Sequence, residues 1–227
     1  MLIITDNNFG LLINQINFII MKTLNTFGKL LLILTITFSS FSFLKAQDED
    51  SKINVKDFTT LTLDQLNAHR NQLIALANSE DFKKKVEKIN TLKIPNDSGI
   101  PSLDNLTMLI ANMVGKVQEN RNAISSMYSG VTGLNLDGST APTTTVDQQQ
   151  LNSLASIMLQ LNGEIITTAK SLVDLPGEIK SAGGFKALKG LKNLLFIKNA
   201  VSALSTEIKY NNQLTQNLIA TQKFNNK

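Results

Sequence analysis

Between Ser102 and Ser129, side chains recur at alternating steps of three and four: Leu103, Leu106, Ile110, Met113, Val117, Asn120, Ile124 and Met127, seven of them apolar. Such steps average 3.5 residues, so all eight positions fall on one stripe of an α-helix, a pattern that a strand cannot present to one face. Pro101 and Ser102 mark the start, Ser102 as cap, with Asp104 complementing the positive helix end; Gly130 and Gly133 mark the stop. A second eight-layer stripe runs through Leu151, Leu154, Met158, Leu161, Ile165, Thr168, Leu172 and Leu175, and halts at Pro176-Gly177. The turn-rich segment 130–146 between them predicts an antiparallel hairpin in which Met127 meets Leu151 and Leu103 meets Leu175. The single polar layer in each stripe, Asn120 or Thr168, reads as a register marker.

Two more helical regions complete the chain. One runs from Thr62 to Leu92, carrying Leu63, Leu66, Leu73, Leu76 and Ala77, then Phe82, Val86 and Ile89, with Thr62 or Thr60 as cap and a break expected at 78–81. The segment Lys93 to Pro101, with two prolines and a glycine, is the clearest connection. The other runs from Phe185 to about Phe224; its stripe of Leu194, Ile197, Val201, Leu204 and Ile208 weakens through Asn211 and Thr215, predicting a helix that leaves the core or frays. Sustained strand patterns and internal repeats are absent from the sequence. The fold class expected is all-α: an elongated antiparallel four-helix bundle or a coiled-coil hairpin with additional helices.

The first 61 residues read differently. From Met21, Lys22 and Lys29 precede an apolar run, Leu30 to Phe38, followed by serines and then Lys45-Ala46-Gln47, an arrangement that resembles a bacterial secretory signal peptide. The expected organisation is a start-site artefact over 1–20, a signal peptide over 21–46 cleaved after Ala46, a flexible segment over 47–61 and a helical bundle domain over 62–227. Leu44 is larger than the small residue usual three places before a cut, which leaves an uncleaved anchor as the rival. Against it, Leu30 to Leu44 is shorter than the ~20 apolar residues that span a bilayer. The expected location is periplasmic or secreted.

Inventory excludes much chemistry. Without cysteine there is no disulfide, thiolate metal site or cysteine nucleophile, and with a single histidine, His69, a two-histidine zinc site cannot be built within one chain. His69 lacks the serine and acid of a triad and reads as an exposed or half-buried structural residue. Residues 135–138 lack the ligand ladder of a calcium loop, and Gly183, Gly184 and Gly190 match no phosphate-binding pattern, so the expectation is no enzyme, no metal and no cofactor. From Gln47 onward the net charge is only about +2, and the basic run 83–88 is interrupted by acid, which argues against nucleic acid.

One stretch keeps a functional reading. From Glu178 to Ala200 there are five lysines and one acid. On a helical wheel Ala187, Leu188, Leu191, Leu194 and Leu195 share a face, with Lys186, Lys189, Lys192 and Asn193 opposite, the form of an interfacial amphipathic helix and also of an ordinary bundle helix. Phe196 and Ile197 stand outside that face and favour packing. Phe185, Lys186, Leu188, Lys189, Leu191, Lys192 and Leu195 are therefore the expected contact residues for a protein partner, for self-association or for a membrane surface. The function expected is a structural or protein-interaction module of the cell envelope, with a membrane-active helical protein as the alternative.

Overall fold

The computed structural model describes residues 57–142 and 145–226. The expected signal peptide and the residues before it lie outside the described residues. Six α-helices are present among the described residues: α1 (Leu63–Asn78), α2 (Glu80–Thr91), α3 (Pro101–Thr132), α4 (Gln148–Ser171), α5 (Leu175–Ala182) and α6 (Gly184–Asn225). The fold is all-α.

Local chemistry sets most of the boundaries. Thr62 and Gln65 form a reciprocal capping box at α1, with Gln65 N donating to Thr62 Oγ1 at 3.3 Å and Thr62 N to Gln65 Oε1 at 2.9 Å. The expected break falls on Ser79, whose extended backbone ends α1 while its hydroxyl accepts from Phe82 N and so caps α2. Gly133, in the left-handed region at φ 70°, closes α3. The cap of α3 differs from expectation. Ile100 holds the N-cap position with Pro101 first in the helix, and the Asp104 carboxylate reaches back to accept from Ser98 N (2.8 Å), Ser98 Oγ (2.7 Å) and Gly99 N (3.0 Å). Ser102 instead donates to Glu178 on α5.

Within the segment expected to be flexible, residues 58–60 form a 3-10 turn capped by Asp57, and Phe58 packs with Leu66 and Ala220. The aromatic ring of Phe58 finds an apolar seat on α1 and α6.

The 42-residue α6 organises the rest. Leu66 O accepts from Asn217, Phe82 stacks at a tilt on Tyr210, and Lys88 bonds Asn199, so α1 and α2 run antiparallel to it. Gly190 meets Ile100 and Leu103, Arg121 meets Glu207, and Asn225 meets Val131, so α3 runs parallel to it. Gln222 meets Val146, while Ile179 of α5 meets Gly190, so α4 and α5 run antiparallel to it. α1 and α2 thus share one direction, as do α4 and α5, with α3 and α6 opposed to them, and α3 and α4 are antiparallel, as the hairpin expectation has it. Their stripes do not chiefly face each other, however, because both pack mainly on α6.

That arrangement explains which stripe positions are buried. All eight positions of the second stripe are, six of them on α4, with Leu172 just past its end and Leu175 at the start of α5. On α3, Leu106, Asn120 and Met127 are only half-buried, while Thr107, Tyr128 and Val131 take the inner places. A straight helix turns every 3.6 residues, not 3.5, so over 32 residues the inner face moves on by about one position and Tyr128 replaces Met127.

The expected fade of α6 does not occur. Asn211, Thr215, Asn217 and Thr221 are buried, and Asn217 through Gln222 are buried without interruption. A helix with neighbours on every side has no solvent face, so polarity there predicts nothing about exposure.

Candidate docking surface at the start of α6

Gly183 and Gly184 both have positive φ, 62° and 49°. Two successive residues in that region favour glycine, and they allow α5 to turn sharply into α6. The first turns of α6 then emerge with neighbours on one side only.

The packed side is made of Ala187, Gly190, Asn193, Leu194, Ile197, Ala200 and Val201, all buried. Gly190 is required by close approach: a Cβ there would sit 2.9 Å from Ile100 Cδ1 and 3.2 Å from Ile179 Cγ1. The opposite side carries Phe185, 72% exposed, Leu188, 48%, and Leu195, 43%, with exposed Lys192 between them. At 3.6 residues per turn these four positions lie within an arc of roughly 80°. The structure therefore splits the leucine face expected from the sequence: Ala187 and Leu194 turn inward, Leu188 and Leu195 outward, and Leu191 sits half-buried between them. Phe196 and Ile197 are buried, as packing requires.

Lysines surround the exposed row. Lys186 is exposed, its stem lying beside Gly99, and half-buried Lys189 places Nζ 5.1 Å from the centre of the Phe185 ring, a cation–π contact. Lys180 on α5 is exposed as well. Further along, Lys198 is partly covered, and desolvation lowers its pKa. Asn193, on the expected polar side, is buried instead, its Nδ2 donating to Asp104 at 3.3 Å. The physical reason is position: α3 begins against that side of α6, and Asp104 supplies an acceptor.

A second polar group went unread in the sequence. Arg121 bonds Glu207 through two parallel contacts of 2.7 and 2.8 Å and reaches Asn90 Oδ1 at 2.9 Å, tying α2, α3 and α6 together. Nearer the C-terminus, Arg70 Nη1 donates to Asn217 Oδ1 (3.1 Å) and Thr221 Oγ1 (2.9 Å), and Asn217 Nδ2 donates to Leu66 O at 2.8 Å. His69 is buried, not exposed or half-buried, with Nδ1 3.3 Å from Asn217 Nδ2 and its ring edge-on to Phe58 at 5.1 Å. Burial lowers the Arg70 pKa; it pushes the Tyr210 hydroxyl up to about 12, with Tyr128 and Glu207 adding to the effect.

These groups are bonded to each other across helices, which makes them fasteners between the helices. The sequence offers only a weak trace of them, in that residues 210–222 contain no charged side chain. Among the described residues there is no group of three side chains suited to hold a metal ion, and no helix is long and apolar enough to cross a membrane. No protein-family model, no curated protein and no solved structure matches this chain.

Proposed function

We propose that this chain is an exported, non-enzymatic helical-bundle protein, a structural or interaction module of the bacterial cell envelope that docks through the opening turns of α6. The observation that carries the reading is the outward row of Phe185, Leu188 and Leu195 on a helix whose other side is closely packed. Apolar side chains that contribute nothing to the core, gathered on one face, are the mark of a contact surface. Export rests on the segment from Met21 to Ala46, with its basic start, apolar run and cut before Gln47.

The two halves of the proposal have separate tests. Fractionation of the native producer, with sequencing of the protein's N-terminus, is expected to find a chain beginning at Gln47 in the envelope or medium; an intact chain in the cytoplasm would exclude the envelope role. For the surface, the double variant Leu188→Asp with Leu195→Asp is expected to keep the helical circular-dichroism signal and melting midpoint. Unfolding of that variant would make the face part of the core and end the docking reading.

A second reading has an observation of its own. The lysine excess around the row serves no packing purpose, and it favours engagement of a lipid surface by the same face.

A further inference from the structure

We infer that the occupant of this face is an anionic lipid surface, met by the folded bundle as a peripheral contact; the inference rests on the docking reading above. Charge is the first argument. Residues 178–200 carry a net charge of +4, whereas the chain from Gln47 onward totals about +2, so the remainder of that chain is net negative. The opening of α6 thus carries a net positive charge in a chain whose remaining residues from Gln47 onward are slightly acidic. Its single acid, Glu178, already accepts a hydrogen bond from Ser102.

Placement is the second. Phe185 is the most exposed large apolar side chain among the described residues, and it stands at the corner made by Gly183 and Gly184. An aromatic ring at a corner can enter the boundary between headgroups and acyl chains without disturbing the helices behind it. Leu188 and Leu195 follow on the same arc, and Lys186, Lys189 and Lys192 stay within side-chain reach of phosphate groups. Since no described helix can cross a bilayer, the contact is superficial.

Size and sign set aside the other occupants. Three side chains on three turns fall far short of the ~800 Å² per partner that a stable protein interface takes. A second copy would bring the same lysines against one another, an unfavourable contact in an apolar setting. A lipid surface needs little apolar area when basic residues supply the rest, each lysine near an anionic leaflet contributing roughly fivefold in partitioning.

The chain contains no tryptophan, so Phe185→Trp creates a single fluorescent reporter at the proposed point of contact. The full-length variant is mixed at low salt with vesicles of phosphatidylglycerol and phosphatidylcholine, and with pure phosphatidylcholine vesicles. Emission is expected to move to shorter wavelength only with the anionic vesicles, and partitioning to weaken roughly a hundredfold on adding Lys186→Gln, Lys189→Gln and Lys192→Gln. Ile166→Trp on the outer side of α4 is expected to show no shift, which localises the contact. Leu188→Trp repeats the measurement should position 185 tolerate tryptophan poorly. Unchanged emission from both folded reporters, or an equal shift with neutral vesicles, overturns the lipid inference. The docking reading survives that result, because it falls only if the double aspartate variant unfolds.

Discussion

The two ends of α6 invert the usual relation between polarity and burial. At its start, Phe185, Leu188 and Leu195 face outward; toward its end, Asn211, Thr215, Asn217 and Thr221 face inward. Both ends belong to one continuous helix, so the difference is one of surroundings. The C-terminal half is flanked by α1, α3 and α4, and it buries whatever it carries. There Thr215, Asn217 and Thr221 are matched by Arg70, the Leu66 carbonyl and helical carbonyls one turn back, while the Asn211 amide nitrogen is buried without a hydrogen-bond partner among the described residues. The opening turns pack on α3 and α5 along one side and leave Phe185, Leu188 and Leu195 exposed on the other. Inward polarity with partners is a fastener, and the outward apolar row is the surface proposed for contact.

The sharpest way to break this comparison uses two adjacent leucines. Leu194 is 3% exposed and Leu195 43%, so Leu194→Ala should cost about 3 kcal/mol of stability, within the usual range for a buried leucine, and Leu195→Ala less than about 0.5 kcal/mol. Urea denaturation of the two variants checks it, and equal losses would mean that the outer face is not free.

A somewhat smaller effect tests the fasteners. Arg121→Ala removes the partner of a Glu207 side chain that is almost fully buried, and should cost about 2 to 3 kcal/mol. The lower end is expected if water enters where Arg121 is partly exposed. Arg121→Lys keeps the charge but loses the two-pronged geometry, so it should restore only part of the loss in the same urea titration.

The smallest effect concerns pH. Burial tends to raise the Asp104 pKa, but hydrogen bonds from Ser98, Gly99 and Ile100 outweigh it and hold the carboxyl below 3.8. A carboxyl with a lowered folded pKa contributes stability above its unfolded value, and that contribution is lost as pH falls through the folded value. Stability should therefore decline modestly below about pH 3.8, and Asp104→Asn should flatten that part of the curve. Melting midpoints between pH 2.5 and 6, taken roughly every half unit, measure it. An unchanged slope in the variant would assign the acid sensitivity to other carboxylates.

Legibility followed the same division. Helices with one packed side announced themselves: every stripe position on α4 is buried, the break at Ser79 and the stop at Gly133 fall where local chemistry puts them, and Leu103, Ile110, Met113 and Val117 hold the inner side of α3. The slip from Met127 to Tyr128 was hidden because heptad spacing and a straight helix agree for a few turns and then diverge. The outward leucines were hidden for another reason. On the wheel, Leu188 and Leu195 are continuous with Leu191 and Leu194, and only the position of α3 and α5 divides them.

By itself, the sequence determined that the described chain is helical, where most helices begin and end, and which side of α3 and α4 carries the apolar stripe, because periodicity and caps act within a few residues. Only the tertiary structure decided that α6 is the shared core element, that its polar half is buried and that its leucine face is split. Burial depends on which helices arrive from elsewhere in the chain, and no local pattern encodes that.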